Sequence, residues 1–443
     1  MNPKNSKRII RILKKFESQN ITWVDPTGGW PIIWARAKGT HVWDVDGRKY
    51  VDLTAGFGVC AVGYSHTLLV KAACSQLRTL MHCMGDVHPH PLKATLAMEL
   101  SKITFERWSK MPNMKPTSGN FTYGKVIFCN SGFEAVEAAL KTAHLATGRP
   151  GIIAFEGAYH GLGYGALNVT HREMFRKPFL PQLAQFGKFV SFPTKPQDKA
   201  SVLKRINQLL QTGKYGAVLI EPIQGRGGIR IPPNGFLIAL REICTKHKCL
   251  LILDEIFTGF GRTGKWFACE HEGATPDIIC LGKALTGGFP MSVCIGRADL
   301  MDKAWPPSSG EAIHTSTFLG HPVGCAMALA NINIIKRLRL PERAARLGRK
   351  ALELLQNIPL KHYQAEIRGT GLMIGIELRR PDGSFATEET YRIAKAMLAS
   401  GFITLPEGSH GNVLSITPPL VIGKSTIEKA VKTLARVIRE LNL

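Results

Sequence analysis

The run Cys249-Leu250-Leu251-Ile252-Leu253 is ended at once by Asp254 and Glu255, and its reading decides the fold. Five apolar residues fall far short of the ~20 that cross a bilayer and match the length of a buried strand. Similar short apolar runs lie at 126–129, 151–155, 217–220, 277–281 and 292–295, each bounded by polar residues or glycine, with amphipathic stretches at 134–146 and 236–247 between some of them. Continuous apolar strands alternating with helices form parallel sheets covered on both faces. The sequence therefore predicts an α/β fold with a mainly parallel central sheet. Such sheets bind ligands outside the carboxyl ends of their strands, and four polar corners stand there: Asn130-Ser131-Gly132, Glu221, Asp254 and Lys283.

Outside this block, residues 32–53 read as a β-meander of two short strands, turned at Asp44-Val45-Asp46-Gly47-Arg48. A long helix is predicted at 322–338, and the remainder to residue 443 alternates strands, such as 373–378, with amphipathic helices. The expected organisation is a large domain over 66–320 and a second, α+β domain built from both chain ends, 1–65 and 321–443. Residues 107–123, rich in Pro, Asn, Lys, Ser and Gly, read as an exposed loop. Ile9, Ile12, Leu13 and Phe16 fall at i, i+3, i+4 and i+7 among basic residues, which predicts an amphipathic helix packed on the body of the chain or on a partner subunit.

Composition narrows the function classes. With 44% of 443 residues apolar, a large core is available and disorder is excluded as the main state. Lys and Arg exceed Asp and Glu by 57 − 33 = +24. These charges are spread along the chain rather than gathered with aromatics, so they read as a solvated basic surface, with neither nucleic acid nor membrane as partner. The ten cysteines contain no C-x-x-C pair and read as reduced, mostly buried thiols. The N-terminal segment has no apolar core or cleavage site of a secretory signal, and a cytoplasmic enzyme is expected.

Lys283 follows an apolar strand and precedes the flexible Gly287-Gly288 pair, while Asp254 ends another strand between Leu253 and Ile256. A carboxylate in such surroundings is costly to bury unless a cation faces it. A protonated pyridine nitrogen is such a cation. The pairing of lysine and aspartate is what pyridoxal phosphate requires: an amine for the Schiff base and an acidic partner that keeps the ring an electron sink. Ser131-Gly132-Phe133-Glu134 opens a helix whose free N–H groups and positive dipole end suit a phosphate, and Tyr159 offers a ring to stack on.

On these residues the chain resembles the class III aminotransferases, the ornithine and 4-aminobutyrate aminotransferase-like family of fold-type I pyridoxal-phosphate enzymes. The segment Leu253-Asp254-Glu255-Ile256-Phe257-Thr258-Gly259-Phe260-Gly261-Arg262-Thr263-Gly264, then Asp277-Ile278-Ile279 and the Lys283 segment, is similar to the family signature in its spacing. Supporting matches are Asn130-Ser131-Gly132, Tyr159-His160-Gly161, Glu221-Pro222-Ile223-Gln224-Gly225, Ser316-Thr317-Phe318 and Ile416-Thr417-Pro418-Pro419-Leu420. The resemblance implies that Lys283 forms the Schiff base and shuttles the proton, and that Asp254 holds the pyridine nitrogen. It places Ser131, Gly132 and the Phe133 backbone at the phosphate, Tyr159 and Ile256 on the two ring faces, and Glu221 among the cofactor-binding residues. Thr317 would reach the phosphate of a neighbouring subunit, which implies a homodimer with shared sites.

Departures from the family pattern bear on substrate. Arg226 stands where many relatives that use 2-oxoglutarate carry Glu, Ser415 where they carry Arg, and Leu162 where 4-aminobutyrate enzymes carry Arg. Phe257 stands where some relatives place Gln against the cofactor hydroxyl. Transfer of an amino group from a primary amine or amino acid to a 2-oxo acid is expected, with Arg226 reading the substrate carboxylate beside Ser415. The rivals are an aminomutase, racemase or decarboxylase on the same fold, or a non-enzymatic basic scaffold.

Overall fold

A computed structural model of the chain describes residues 4–114, 122–360 and 363–442. At its centre lies a seven-stranded sheet in the order Gly124–Cys129, Ser292–Arg297, Ile278–Leu281, Leu250–Asp254, Tyr215–Ile220, Gly151–Phe155 and Gly187–Val190. Ser292–Arg297 runs against its two neighbours, and the pairs from Ile278–Leu281 outward to Gly187–Val190 are parallel. Six of these strands are the apolar runs of the sequence. The seventh, Gly187–Val190, escaped that reading because it pairs on one side only and buries just Val190.

The strand Leu250–Asp254 is buried along its whole length because sheet neighbours flank it and helices cover it. Each Leu or Ile removed from water there stabilises the fold by about 1.5–3 kcal/mol before chain entropy is charged against it. Helix Gly132–Thr147 turns Ala135, Val136, Ala139, Leu140 and Ala143 inward, a helical period of small and medium side chains that lets it lie close on the sheet. At the amino ends of the strands, Asp277 accepts the Leu251 N–H at 2.8 Å and Arg241 Nη1 at 2.6 Å, and pairs with Arg297 at 3.1 Å. Buried charge at that edge is thus matched within the scaffold.

Three antiparallel strands near the N-terminus, Trp34–Lys38, His41–Asp44 and Lys49–Asp52, form the meander, one strand more than expected. Strand Phe402–Ile403 joins them in parallel, so the two chain ends share a sheet. A further sheet orders Gln364–Thr370, Met373–Arg379, Val413–Ile416 and Leu405–Glu407.

One expectation needs correction and another is met in part. Residues 107–123 are not an open loop throughout: Phe105–Trp108 is helical, and Trp108 is buried with its indole N–H donated to Glu270 at 3.1 Å. Its polar neighbours masked that anchor, and residues 115–121 lie outside the described residues. The helix Lys4–Phe16 forms, tied to Asp46 by the Asn5 and Ser6 N–H groups, but Ile12 and Phe16 remain 48% and 75% exposed. The stripe is therefore packed on this chain only in part, through the half-buried Ile9 and Leu13. All ten cysteines are unpaired and eight are buried. Among the described residues no helix is long and apolar enough to cross a membrane.

Candidate active site

The carboxyl ends of Leu250–Asp254, Tyr215–Ile220 and Ile278–Leu281 open on a cavity of about 360 Å³, enough for one small ligand. Gly132, Phe133, Tyr159, Glu221, Arg226 and Ile256 line it together with Asp254 and Lys283. Three predicted residues stand outside that lining: Ser131, at the helix start beside it, Ser415 and Thr317. Ser415 is buried in the C-terminal sheet opposite Gly375 and Leu405, and Thr317 is exposed beside Ser316, whose hydroxyl accepts from Asn130 Nδ2 at 3.2 Å.

Asp254 and Glu255 are adjacent but serve different ends. Glu255 points into the scaffold, where it accepts the Ala268 and Cys269 N–H groups at 2.6 and 2.9 Å and the Thr258 hydroxyl at 2.8 Å. Asp254 faces the cavity. One of its oxygens accepts the Ile256 N–H at 3.1 Å, and the other lies 2.7 Å from His160 Nδ1, with both side chains almost wholly buried. His160 was quoted in the Tyr-His-Gly segment without a role, and it proves to be the partner of Asp254. Glu221 accepts the N–H of Tyr159 and of Gly225, each at 3.0 Å, which ties the two neighbouring corners together. Burial pushes its carboxyl up to about 7, with Asp254 adding to the shift and His160 opposing it.

Lys283 adopts φ +39°, in the left-handed region, at the start of the short turn Lys283–Leu285. For a residue with a side chain this costs roughly 1–2 kcal/mol, so the surroundings impose it. Its amine lies 4.8 Å from the centre of the Phe257 ring. That ring is held in a slot that only glycine leaves open: a Cβ on Gly58 or Gly225 would come within 2.4 or 2.3 Å of it. Burial lowers the affinity of Lys283 for its proton, while Asp254, Glu221 and Glu407 oppose the shift. An amine that holds its proton less tightly is a better nucleophile and base.

Ser131 caps helix Gly132–Thr147 without a side-chain capping bond, and its hydroxyl is shielded from solvent with no hydrogen-bond partner. An orphaned hydroxyl beside the free N–H groups of a helix start is a site that awaits an acceptor-rich ligand. With the cavity-facing Lys283 amine and the strand-end carboxylate, these residues fit a phosphorylated pyridine aldehyde.

The remaining wall is charged. The Arg226 guanidinium lies 4.8 Å from the centre of the Tyr159 ring and 5.7 Å from that of Phe175, and its Nε stands 3.8 Å from a Glu407 oxygen. Arg172 donates to the Gly408 carbonyl at 2.7 Å and braces the turn that follows. Glu407 lies 181 residues from Arg226, and only the fold brings them together.

The fold is an α/β sheet whose carboxyl edge opens on a cavity lined by a lysine and an aspartate. The profile of the family described as aminotransferase class-III matches residues 25–438. The chain is 38% identical to an acetylornithine aminotransferase of Methanosarcina mazei over 92% of each chain. It is 36% identical to a putrescine aminotransferase of Pectobacterium atrosepticum, over 92% of this chain and 82% of that one. Among solved structures, a PLP-bound amine transaminase from an uncultivated Pseudomonas species superposes with a TM-score of 0.85 at 28% identity, covering 96% of this chain and 98% of its own. The chain belongs to the class III aminotransferase family. It is a fold-type I enzyme that uses pyridoxal phosphate to move an amino group from a donor to a 2-oxo acid.

Proposed function

We propose that Lys283, Asp254 and His160 form the reacting centre of this aminotransferase and that Arg226 selects its acceptor. The observation that carries the reading is the opening of the Lys283 amine and the Asp254–His160 pair onto one cavity. When bound, the cofactor supplies a protonated ring that withdraws electrons from the substrate's Cα–H bond. Lys283 Nζ holds the cofactor covalently and, once the donor has displaced it, moves the proton between substrate atoms. Asp254 keeps a proton on the ring nitrogen, and His160 holds the Asp254 carboxylate in place. Ser131 Oγ with the Gly132 and Phe133 amides takes the phosphate, Tyr159 and Ile256 confine the ring, and Glu221 orders the Tyr159 and Gly225 corners.

Arg226 binds the acceptor's carboxylate through the planar fork of its guanidinium. Ser415, buried in the neighbouring sheet, is its proposed companion on the substrate side. Relatives named for acetylornithine and putrescine support a donor that is a primary amine or amino acid. Residues 66–320 act as the cofactor domain and 1–65 with 321–443 as the second domain. Two chains pair so that Thr317 of one serves the phosphate of the other, and the enzyme works in the cytoplasm. The test is a screen of primary amines and amino acids against 2-oxo acids with cofactor-loaded protein. Amino-acid product is expected with the parent and not with Lys283→Ala. Cofactor-dependent decarboxylation or racemisation without transfer to any acceptor would contradict the reading.

A further inference from the structure

Arg226 and Glu407 face each other from two different parts of the chain. Arg226 stands on the loop after strand Tyr215–Ile220, and Glu407 ends strand Leu405–Glu407 of the C-terminal sheet. The Gly408 N–H donates to the Arg226 carbonyl at 3.1 Å, so the two backbones are fixed to one another. The side chains are not closed on each other. Their separation of 3.8 Å is an ion pair beyond hydrogen-bond reach, and Arg226 Nε is shielded from solvent with no hydrogen-bond partner. The guanidinium instead lies against the Tyr159 and Phe175 rings and lines the cavity, while the Glu407 side chain is only 12% exposed. A largely shielded carboxylate thus sits just short of the cavity-lining guanidinium that is read above as the acceptor clamp.

We propose that Glu407 is a built-in competitor for Arg226: ionised, it holds the guanidinium, and the acceptor's carboxylate binds by displacing it. Glu407 is then a specificity-determining residue that makes acceptor affinity depend on its own charge. The inference rests on the reading of Arg226 as the acceptor clamp.

The groups that face Glu407 are Arg226, Arg172 and Lys283, which favour its ionised form, and Glu221, which opposes it. Burial outweighs the three cations and pushes the Glu407 carboxyl up to about 7. Below that value Glu407 is neutral and releases Arg226, so a 2-oxo acid binds without an internal rival. As pH rises through about 7 the carboxylate forms, competes for the guanidinium, and weakens acceptor binding. An uncharged aldehyde acceptor has no carboxylate to lose in that competition. Because the Arg226 side chain is 41% exposed, the effect belongs at the lower end for charge-assisted pairs, about five- to tenfold.

The experiment compares the apparent KM of a 2-oxo acid with that of an uncharged aldehyde, using holoenzyme at about pH 6 and about pH 8. In the parent the ratio of the two KM values should rise about five- to tenfold across that interval. In Glu407→Gln it should stay at the parent's acidic value, and Glu407→Asp should restore part of the rise. Binding of glutarate, a dicarboxylate with no oxo group to react, should show the same pattern by calorimetry: tighter at low pH in the parent, independent of pH in Glu407→Gln. A flat ratio in the parent overturns the proposal without any variant, and so does a Glu407→Gln enzyme that keeps the parent's rise. The clamp reading fails separately, if Arg226→Met affects both acceptor classes equally at both pH values.

Discussion

Replacing Asp254 with Asn alters the charge at the end of the Leu250–Asp254 strand while nearly preserving its volume. The strand is buried throughout, and Asp254 itself is 5% exposed, so solvent does little to screen what is lost. The Ile256 N–H bond at 3.1 Å survives on the remaining carbonyl oxygen, and the 2.7 Å contact with His160 Nδ1 no longer has a carboxylate on its other side. The carboxylate is the proposed partner of the cofactor's ring nitrogen, and removing one partner of a buried charge pair costs about 3–5 kcal/mol. At 1.36 kcal/mol per tenfold, that predicts a kcat lower by about 10²- to 10⁴-fold. The assay is kcat at saturating donor and acceptor, with cofactor occupancy measured separately by absorbance and bound phosphate. Occupancy should stay near the parent's, because Lys283 and the Ser131–Gly132 helix start are untouched. His160→Ala should cost less, about tenfold, and add little to Asp254→Asn in the double variant, because it acts through the same carboxylate. A kcat for Asp254→Asn within roughly threefold of the parent at equal occupancy would refute the role of Asp254.

Other consequences follow from the same geometry. Arg226→Met should raise the KM for 2-oxo acids by about five- to thirtyfold while changing that for aldehydes little, the modest range reflecting the 41% exposure of its side chain; equal shifts for both classes would contradict the clamp. Arg241→Met should lower stability by about 2–4 kcal/mol in urea unfolding, because it strips Asp277 of one of two arginines in a site where both Arg241 and Asp277 are 1% exposed; a loss under ~0.5 kcal/mol would show the pair to be dispensable. Thr317→Ala should release cofactor more readily than the parent, and mixing it with Lys283→Ala should restore activity through hybrid dimers; no recovery would mean that each site is built within one chain.

The central strands were readable from sequence because burial on both faces leaves an unbroken apolar run, as at Leu250–Leu253, whereas the half-covered edge strand Gly187–Val190 carries no such run. Lys283 and Asp254 were readable for a related reason. Polar residues at the ends of such runs fall at the carboxyl edge of the sheet, wherever the strands are ordered. The partners of those residues were not. His160 lies 94 residues from Asp254, and no period or spacing joins them before the sheet is assembled. Glu407, in Pro406-Glu407-Gly408, looks like a turn residue at the surface until the C-terminal sheet carries it against Arg226. Trp108 was misread because a local count of polar neighbours outweighed one large aromatic side chain whose pocket is built by distant residues such as Phe267 and Glu270.

Every proposed role in the site depends on Lys283 as the residue that holds the cofactor. Borohydride reduction of cofactor-loaded protein, followed by digestion and peptide mass mapping, reads this directly, since reduction fixes the linkage to the amine that made it. The pyridoxyl mass should appear on the peptide containing Lys283 and on no other, and Lys283→Ala should carry none. A pyridoxyl group on a different lysine of the parent would contradict the assignment of the site.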